Sequence, residues 1–326
     1  MKKETVAKQK NSVFFAVFSR NEAGAAIPLV LLLLVVLFIN PTFFRVNNIF
    51  DVLRTASFSF ILAVPITFLM AGGGIDLSLG ATISIGGVIC GTAIKAGMPI
   101  MIAILITLAC GLAIGYINGL TIVKFRLPGF IATLAMQYVI NGVNNVWTGG
   151  VNISRFPDAF KTIGQYRFFG TVPITILYAL LMGIAGYIIL SKTKVGRKVL
   201  AVGGNRDAAY LAGINVDKTQ ISVYMITSMV ATFVGILYGA RLGTVQTSIG
   251  NGTELTIIAA VIVGGTSMFG GSGTIVGSAI GCILLAAITN ALIMIGVSAY
   301  WQSLIFGIIL ITALFIDRYR QKMLNS

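Results

Sequence analysis

The chain has 326 residues, of which 57% are hydrophobic and only 10% charged. A soluble domain carries about 25% charged residues, so a soluble enzyme is excluded and an all-α polytopic membrane protein is expected. The formal net charge of +14 does not point to nucleic acid, because the cations lie between apolar stretches and not on a solvated basic domain.

In chain order, the tail 1–22 carries Lys2, Lys3, Lys8, Lys10 and Arg20 ahead of an apolar run. The run leaves through Phe38-Ile39-Asn40-Pro41 without a small-x-small cleavage site, so an uncleaved first span, Ala23–Ile39, is expected. Span two is predicted over Thr55–Ala71. The glycines Gly72, Gly73 and Gly74 break it, and span three runs Ile75–Ile94. Spans four, five and six are predicted over Pro99–Val123, Phe130–Trp147 and Val172–Leu190, with a polar loop, Thr148–Thr171, before the sixth. A charged segment, Ser191–Lys218, then separates two apolar blocks. Span seven is Thr219–Ala240, Gly243–Gly252 is a polar turn, and span eight, Glu254–Val263, is short and followed by Gly264, Gly265, Gly270, Gly271 and Gly273. Spans nine and ten are Thr274–Ile295 and Ala299–Ile316. About ten spans result, each near the ~20 residues a crossing needs except the eighth, which must be tilted, re-entrant or extended by the glycines. The domain plan is a tail 1–22, a membrane domain 23–317 containing the 191–218 loop, and a tail 318–326.

Ten spans place both termini on one side. That side holds sixteen Lys and Arg residues and the other seven. The richer side is therefore expected to be cytoplasmic, together with the 191–218 loop.

Within that loop, Asp207-Ala208-Ala209-x-x-x-Gly213 reads as a short helix. Asp207 sits near the N-terminus, where a carboxylate is favourable, and Gly213 is a C-terminal stop. A short helix with a small-residue face suits docking into a partner's groove; an ordinary charged loop is the plainer alternative. The pattern resembles the Glu-Ala-Ala-x-x-x-Gly coupling loop of bacterial ABC importer permeases, with Asp in place of Glu. The run AVGGNRDAAYLAGINV, together with GGGIDLSLG at 72–80 and ELTIIAAVIVGGTSMFGGSGTIVG at 254–277, is similar to the ribose/galactose/xylose branch of that family. The resemblance spans about 41–317. It implies a bacterial inner-membrane permease with two inverted-topology halves. It also implies a homodimeric or heterodimeric second permease, a cytoplasmic ATP-binding subunit and an extracytoplasmic solute-binding protein. No cofactor is then bound by this chain, and ATP is used by the partner. The glycine-rich breaks fall after spans two and eight and do not themselves display an inverted repeat.

Candidate functional residues are few. The absence of histidine removes Ser–His–Asp chemistry and the commonest metal ligand. Cys90, Cys110 and Cys282 lie far apart in apolar spans and read as small hydrophobes. A phosphate loop is not supported, because no glycine-rich stretch carries the Gly-Lys-Ser/Thr ending. Enzymatic activity is therefore not expected. Gly264, Gly265, Gly270 and Gly271, with Gly72–Gly74, are candidate gate or helix-break positions. A carboxylate at a span centre costs about 2.5–3.5 kcal/mol, so Asp76 and Glu254, both at span ends, stand out. An N-cap is the plainer role for each and a gate residue the functional one. Gln137, Asn141 and Asn144 fall at i, i+4 and i+7 on one helical face. With Glu254 and Asn290 they are candidates to line a pathway for a neutral hydroxylated solute, interhelical hydrogen bonding being the alternative. Nucleosides and autoinducer-like sugars are alternative solutes. A self-sufficient secondary transporter and an intramembrane enzyme are the rival classes.

Overall fold

The computed structural model describes residues 23–298 and, beyond them, positions 301, 302, 304, 305, 307, 308, 311 and 312. The two charged tails and most of the predicted tenth span lie outside the described residues.

Apolar runs become long helices: α1 (Ala23–Ile39), α2 (Val46–Ala71), α3 (Leu79–Lys95), α4 (Ile100–Val123) and α5 (Gly129–Thr148). After β1 (Ile153–Ser154), α6 (Asp158–Gln165), β2 (Arg167–Phe168) and β3 (Val172–Pro173) comes α7 (Ile174–Lys192). The charged segment forms α8 (Lys194–Gly204) and α9 (Arg206–Leu211). Helix α10 (Val216–Leu242), β4 (Thr244–Val245), α11 (Thr253–Val263) and α12 (Ile275–Met294) complete the described order. Helices α2, α4, α7, α10 and α12 are long and apolar enough to cross a membrane. Successive long helices reverse direction. One end of the bundle is marked by Gly72 and the other by Arg241.

Helix α10 is the centre, packed against α2, α3, α4 and α6. Its contact with α4 depends on Gly111, Gly115 and Gly119, spaced four apart on one face. A Cβ added at Gly111 would stand 2.8 Å from Met229 Cα, and one at Gly119 2.9 Å from Ile221 Cα. With no hydrophobic drive between helices in lipid, such close backbone approach supplies the packing energy. The main core joins Phe58, Ile61 and Leu62 of α2 to Val234 and Leu237 of α10 and Val261 of α11.

Three predicted connections are built differently from expectation. Helix α2 begins at Val46, nine residues before the predicted start of span two; Arg54 lies inside it and pairs with Asp51 one turn earlier at 2.8 Å. The loop 148–171 is an ordered plug: Phe156 and Phe160 pack with Val88, Cys90 and Ile236, and β1 pairs antiparallel with β4. The turn 243–252 is not a surface turn. Val245 lies against Gly87, and the Gly250 amide donates to Ser84 Oγ at 3.1 Å. The segment thus descends along α3 by two turns, about 10 Å. This accounts for the shortness of α11: the two residues of β4 and the consecutive turns of 247–252 cover part of the length of α3, and α11 begins only after them.

Candidate functional site

The Gly72 end gathers most of the singled-out residues. Helix α2 stops where Gly72 and Gly73 follow Ala71, and Gly73 takes φ +78°, a left-handed conformation that suits glycine. The chain then dips inward and brings Asp76 into the interior, 1% exposed. Asp76 Oδ1 accepts from the Ser78 amide at 2.8 Å and from Ser78 Oγ at 2.6 Å. Its Oδ2 accepts from Asn118 Nδ2 of α4 at 3.3 Å, and the same Nδ2 lies 2.9 Å from Ser78 Oγ. Part of the cap expectation holds, since the Ser78 amide is the donor. The capping position of α3, however, is Ser78, and Asp76 closes a turn two residues before it. Asp76 therefore ties the helix break to α4.

A polar seam continues along α5. Thr133 Oγ1 accepts from the Leu77 amide at 3.0 Å. One turn on, Gln137 Nε2 donates to Glu254 Oε1 at 3.2 Å. Glu254 does not cap α11; the capping residue is Gly252, without a side-chain bond. The carboxylate instead turns into the protein, 6% exposed, against Gly80, whose missing side chain makes the room for Oε2. Among the described residues, Oε2 and both amide atoms of Asn144 are buried without a hydrogen-bond partner. The predicted stripe thus exists, with Gln137 and Asn144 turned inward and Asn141 half-buried. Asn290 is placed elsewhere: it and Asn48 exchange side-chain hydrogen bonds of 3.0 Å each, joining α12 to the start of α2. A pairing this complete leaves its amide little capacity to line a pathway.

The charged segment is more structured than a loop with one short helix. Thr193 caps α8, and Val199 and Val202 are buried. Asn205 caps α9, accepting from the Ala208 amide at 2.9 Å. Asp207 lies in the first turn of α9, and Gly213 follows its end at φ +78°. Asp207 and Ala208 are exposed. Ala209 is not: it packs with Val202 and Val216 in a small core. The outward face carries large residues instead, Tyr210 at 73% and Leu211 at 84% exposure.

Sequence reasoning missed the contact that joins this segment to the break. Gly203 of α8 sits on the carbonyl of Ala71, where any Cβ would overlap the oxygen, and Gly271 donates its amide to the same carbonyl at 2.9 Å. Gly270, at φ +92°, presses on Gly203. Three backbones, the end of α2, the end of α8 and the 270–271 loop, therefore touch directly. A second link is polar: Arg206 donates to Gln220 at 2.9 Å, and Tyr224 of α10 donates to the Ile75 carbonyl at 3.0 Å. These groups line a cavity of about 620 Å³ that reaches Gly73, Gly74 and Arg126. Gly264 belongs to different work, since it packs on Gly277 of α12 with no room for a Cβ, and Gly265 ends α11 at φ +91°. Among the described residues no cluster of His, Cys, Asp or Glu could hold a metal.

Comparison with known proteins agrees with this architecture. Residues 48–314 match the family described as branched-chain amino acid transport system, permease component. The ribose import permease protein of Escherichia coli strain K12 is 36% identical over 304 residues, covering 92% of this chain and 94% of that protein. The corresponding ribose permease of Bacillus subtilis strain 168 is 33% identical, covering 90% and 92%. The galactose/methyl galactoside import permease protein of Escherichia coli strain K12 is 33% identical, covering 92% and 96%. No solved structure matches the chain. A helical, multi-pass chain whose long apolar helices are matched along nearly their whole course belongs to this family of transport-system permease components.

Proposed function

We propose that the chain is the membrane-spanning subunit of an ATP-driven importer that carries a sugar or a similar neutral hydroxylated solute. Its relatives are named as ribose and galactose permeases. The observation that carries the mechanism is the backbone clasp of Gly203, Ala71 and Gly271. Through it, a force applied at α9 reaches the break that Asp76 holds.

In this reading the chain crosses the membrane ten times, with the Gly72 end and both termini cytoplasmic, as the sixteen-to-seven distribution of cations supports. A cytoplasmic ATPase subunit meets α9 on Asp207, Ala208, Tyr210 and Leu211. A solute-binding protein docks at the Arg241 end, on the 148–171 plug. Helix α5 packs within this chain chiefly on α3 and α4, leaving an open side for a second permease. Closure of the ATPase pair moves α8 and α9, the clasp moves the end of α2, and the α2–α3 break shifts the side to which the pathway opens. ATP chemistry stays with the partner.

The family description favours a second solute class, branched-chain amino acids. A zwitterion calls for facing charges of both signs. The buried ionisable groups of the seam are Asp76 and Glu254, both acidic, accompanied by Asn118, Thr133 and Gln137, while Arg126 and Arg206 of the adjoining cavity are exposed. Neutral hydroxyls exchange hydrogen bonds with such groups without a counter-charge, which favours a sugar. The test is uptake in proteoliposomes holding the permease with its ATPase and binding protein. Labelled ribose should accumulate only with ATP inside the cytoplasmic-side compartment and with binding protein present, and labelled leucine should not. ATP-independent uptake by the permease alone identifies a secondary transporter and overturns the proposal.

A further inference from the structure

Helices α7 and α10 both pack on α2 but scarcely on each other. Between them lies a cleft of about 540 Å³. Its floor is Val64, Pro65 and Phe68 of α2, and its walls include Ala185 of α7 and Met229 of α10. Ile189, Val195 and Ile226 on its rim are exposed apolar side chains. At the Gly72 end the character changes: Lys198 of α8 and Lys218 of α10 line the mouth with Asn215, Thr219 and Ser222. Among the described residues neither ammonium takes part in an ion pair. The same mouth holds the N-terminus of the 27-residue α10, capped by Asn215, where a negative charge is favoured.

The dimensions and the charge agree on one occupant. From Lys218 to Val230 the cleft follows α10 for twelve residues, about 18 Å. One leaflet of the hydrocarbon core is about 15 Å. An apolar slot one leaflet deep, closed at its polar end by two unpaired lysines, is complementary to a lipid with an anionic headgroup. We propose that this cleft is a binding site for one anionic phospholipid of the inner leaflet, an acyl chain between α7 and α10 and the phosphate between Lys198 and Lys218. The leaflet assignment rests on the orientation proposed above. Because Lys198 lies on α8, the helix that carries Gly203 onto Ala71, the bound lipid braces the coupling segment against the membrane domain.

The test uses the purified permease–ATPase complex in detergent, with native mass spectrometry after addition of phosphatidylglycerol or phosphatidylcholine. The parent should retain one phosphatidylglycerol per permease chain and not phosphatidylcholine. A basic side chain at an anionic lipid surface is worth roughly a fivefold affinity, so Lys198→Gln with Lys218→Gln should weaken retention about twenty-five-fold. Lys192→Gln with Lys194→Gln, at the same end but outside the cleft, should change it little. Ala185→Phe, which fills the slot and leaves both lysines in place, should also expel the lipid and serves where the lysine pair does not assemble. Equal retention of both lipids overturns the site, as does undiminished retention in the cleft variants. Cross-linking of position 195 to the ATPase subunit in place of lipid also overturns it. Binding is read without transport, so failure here is distinct from failure of the importer reading.

Discussion

Gly203 and Gly204 are neighbours at the end of one helix, yet the structure assigns them opposite sensitivity. A Cβ on Gly203 would overlap the Ala71 carbonyl oxygen and stand 2.8 Å from the Gly271 amide nitrogen. Both obstacles are backbone, so no side chain can swing away. The clasp must open by about 1.5 Å to restore normal contact. Overpacking of this kind costs about 1–3 kcal/mol, and losing the Gly271–Ala71 hydrogen bond about 0.5–1.5 kcal/mol more. The helix gain from Ala over Gly returns up to about 1 kcal/mol, leaving a net loss of about 0.5–4.5 kcal/mol for Gly203→Ala. At Gly204 the added Cβ meets only Gly271 Cα at 3.8 Å, an ordinary contact. Gly204→Ala should therefore lie between no change and a gain of about 1 kcal/mol. The assay is thermal denaturation of the purified permease–ATPase complex, together with solute-stimulated ATP hydrolysis in proteoliposomes. Gly203→Ala should lower the midpoint and leave hydrolysis less responsive to solute, while Gly204→Ala matches the parent in both. If the two variants behave alike, the clasp does not transmit coupling as described.

Three further outcomes follow from the same geometry. Asp76→Asn keeps an acceptor for the Ser78 amide and should preserve most membrane abundance, whereas Asp76→Leu strands the Ser78 and Asn118 donors and should lower it severalfold; normal abundance of both variants on immunoblots would remove the structural role. Gly213 stands in open space at φ +78°, so strain and not collision governs substitution. Gly213→Asn should hold ATPase co-purification near parent level and Gly213→Val should reduce it, because a β-branched residue tolerates this conformation poorly; equal co-purification by both refutes the strain argument. A cysteine at Thr193 in a cysteine-free background should label with an impermeant thiol reagent only in inverted vesicles, and labelling of intact cells would reverse the proposed orientation.

The helices were legible because their cause is local. Apolar runs near twenty residues, broken by Asn40-Pro41, Gly72–Gly74 and the charged segment 191–218, follow from composition and spacing alone. The charged segment was recognised by its motif, but α8 was not read as a helix. Its apolar positions are few, and its stability comes from burying Val199 and Val202 against other segments. The descent of residues 244–252 along α3 was hidden for a similar reason: polar and glycine-rich sequence signals a turn, and only the facing Gly80, Ser84 and Gly87 make room for it. The inward turn of Glu254 depends on the same Gly80. The glycines at 111, 115 and 119 were a readable signal of close helix packing. Asn118, an amide inside an apolar run, is a position that calls for a buried partner, but nothing in the sequence identifies that partner as Asp76.

The placement of stiffness and softness accounts for how a push at α9 would be used. Val202, Ala209 and Val216 form one small core shared by α8, α9 and the start of α10. A force on Tyr210 and Leu211 therefore moves these elements together and is not absorbed by bending between them. The receiving end is different in kind. Between Ala71 and Leu79 no helix runs, and the segment is held by the bonds of Asp76 to Ser78 and Asn118, of Thr133 to Leu77 and of Tyr224 to Ile75. Such bonds are worth about 0.5–3 kcal/mol each and can be exchanged one for another as the segment shifts. Unpacking α10 from α4 and α3 would instead part three glycine contacts on one face and the Gly235–Ile83 contact on the other. The break is the cheaper place to move. A rigid lever, a backbone clasp without side chains to deform, and a polar joint with exchangeable partners together direct motion from the coupling segment into the α2–α3 break.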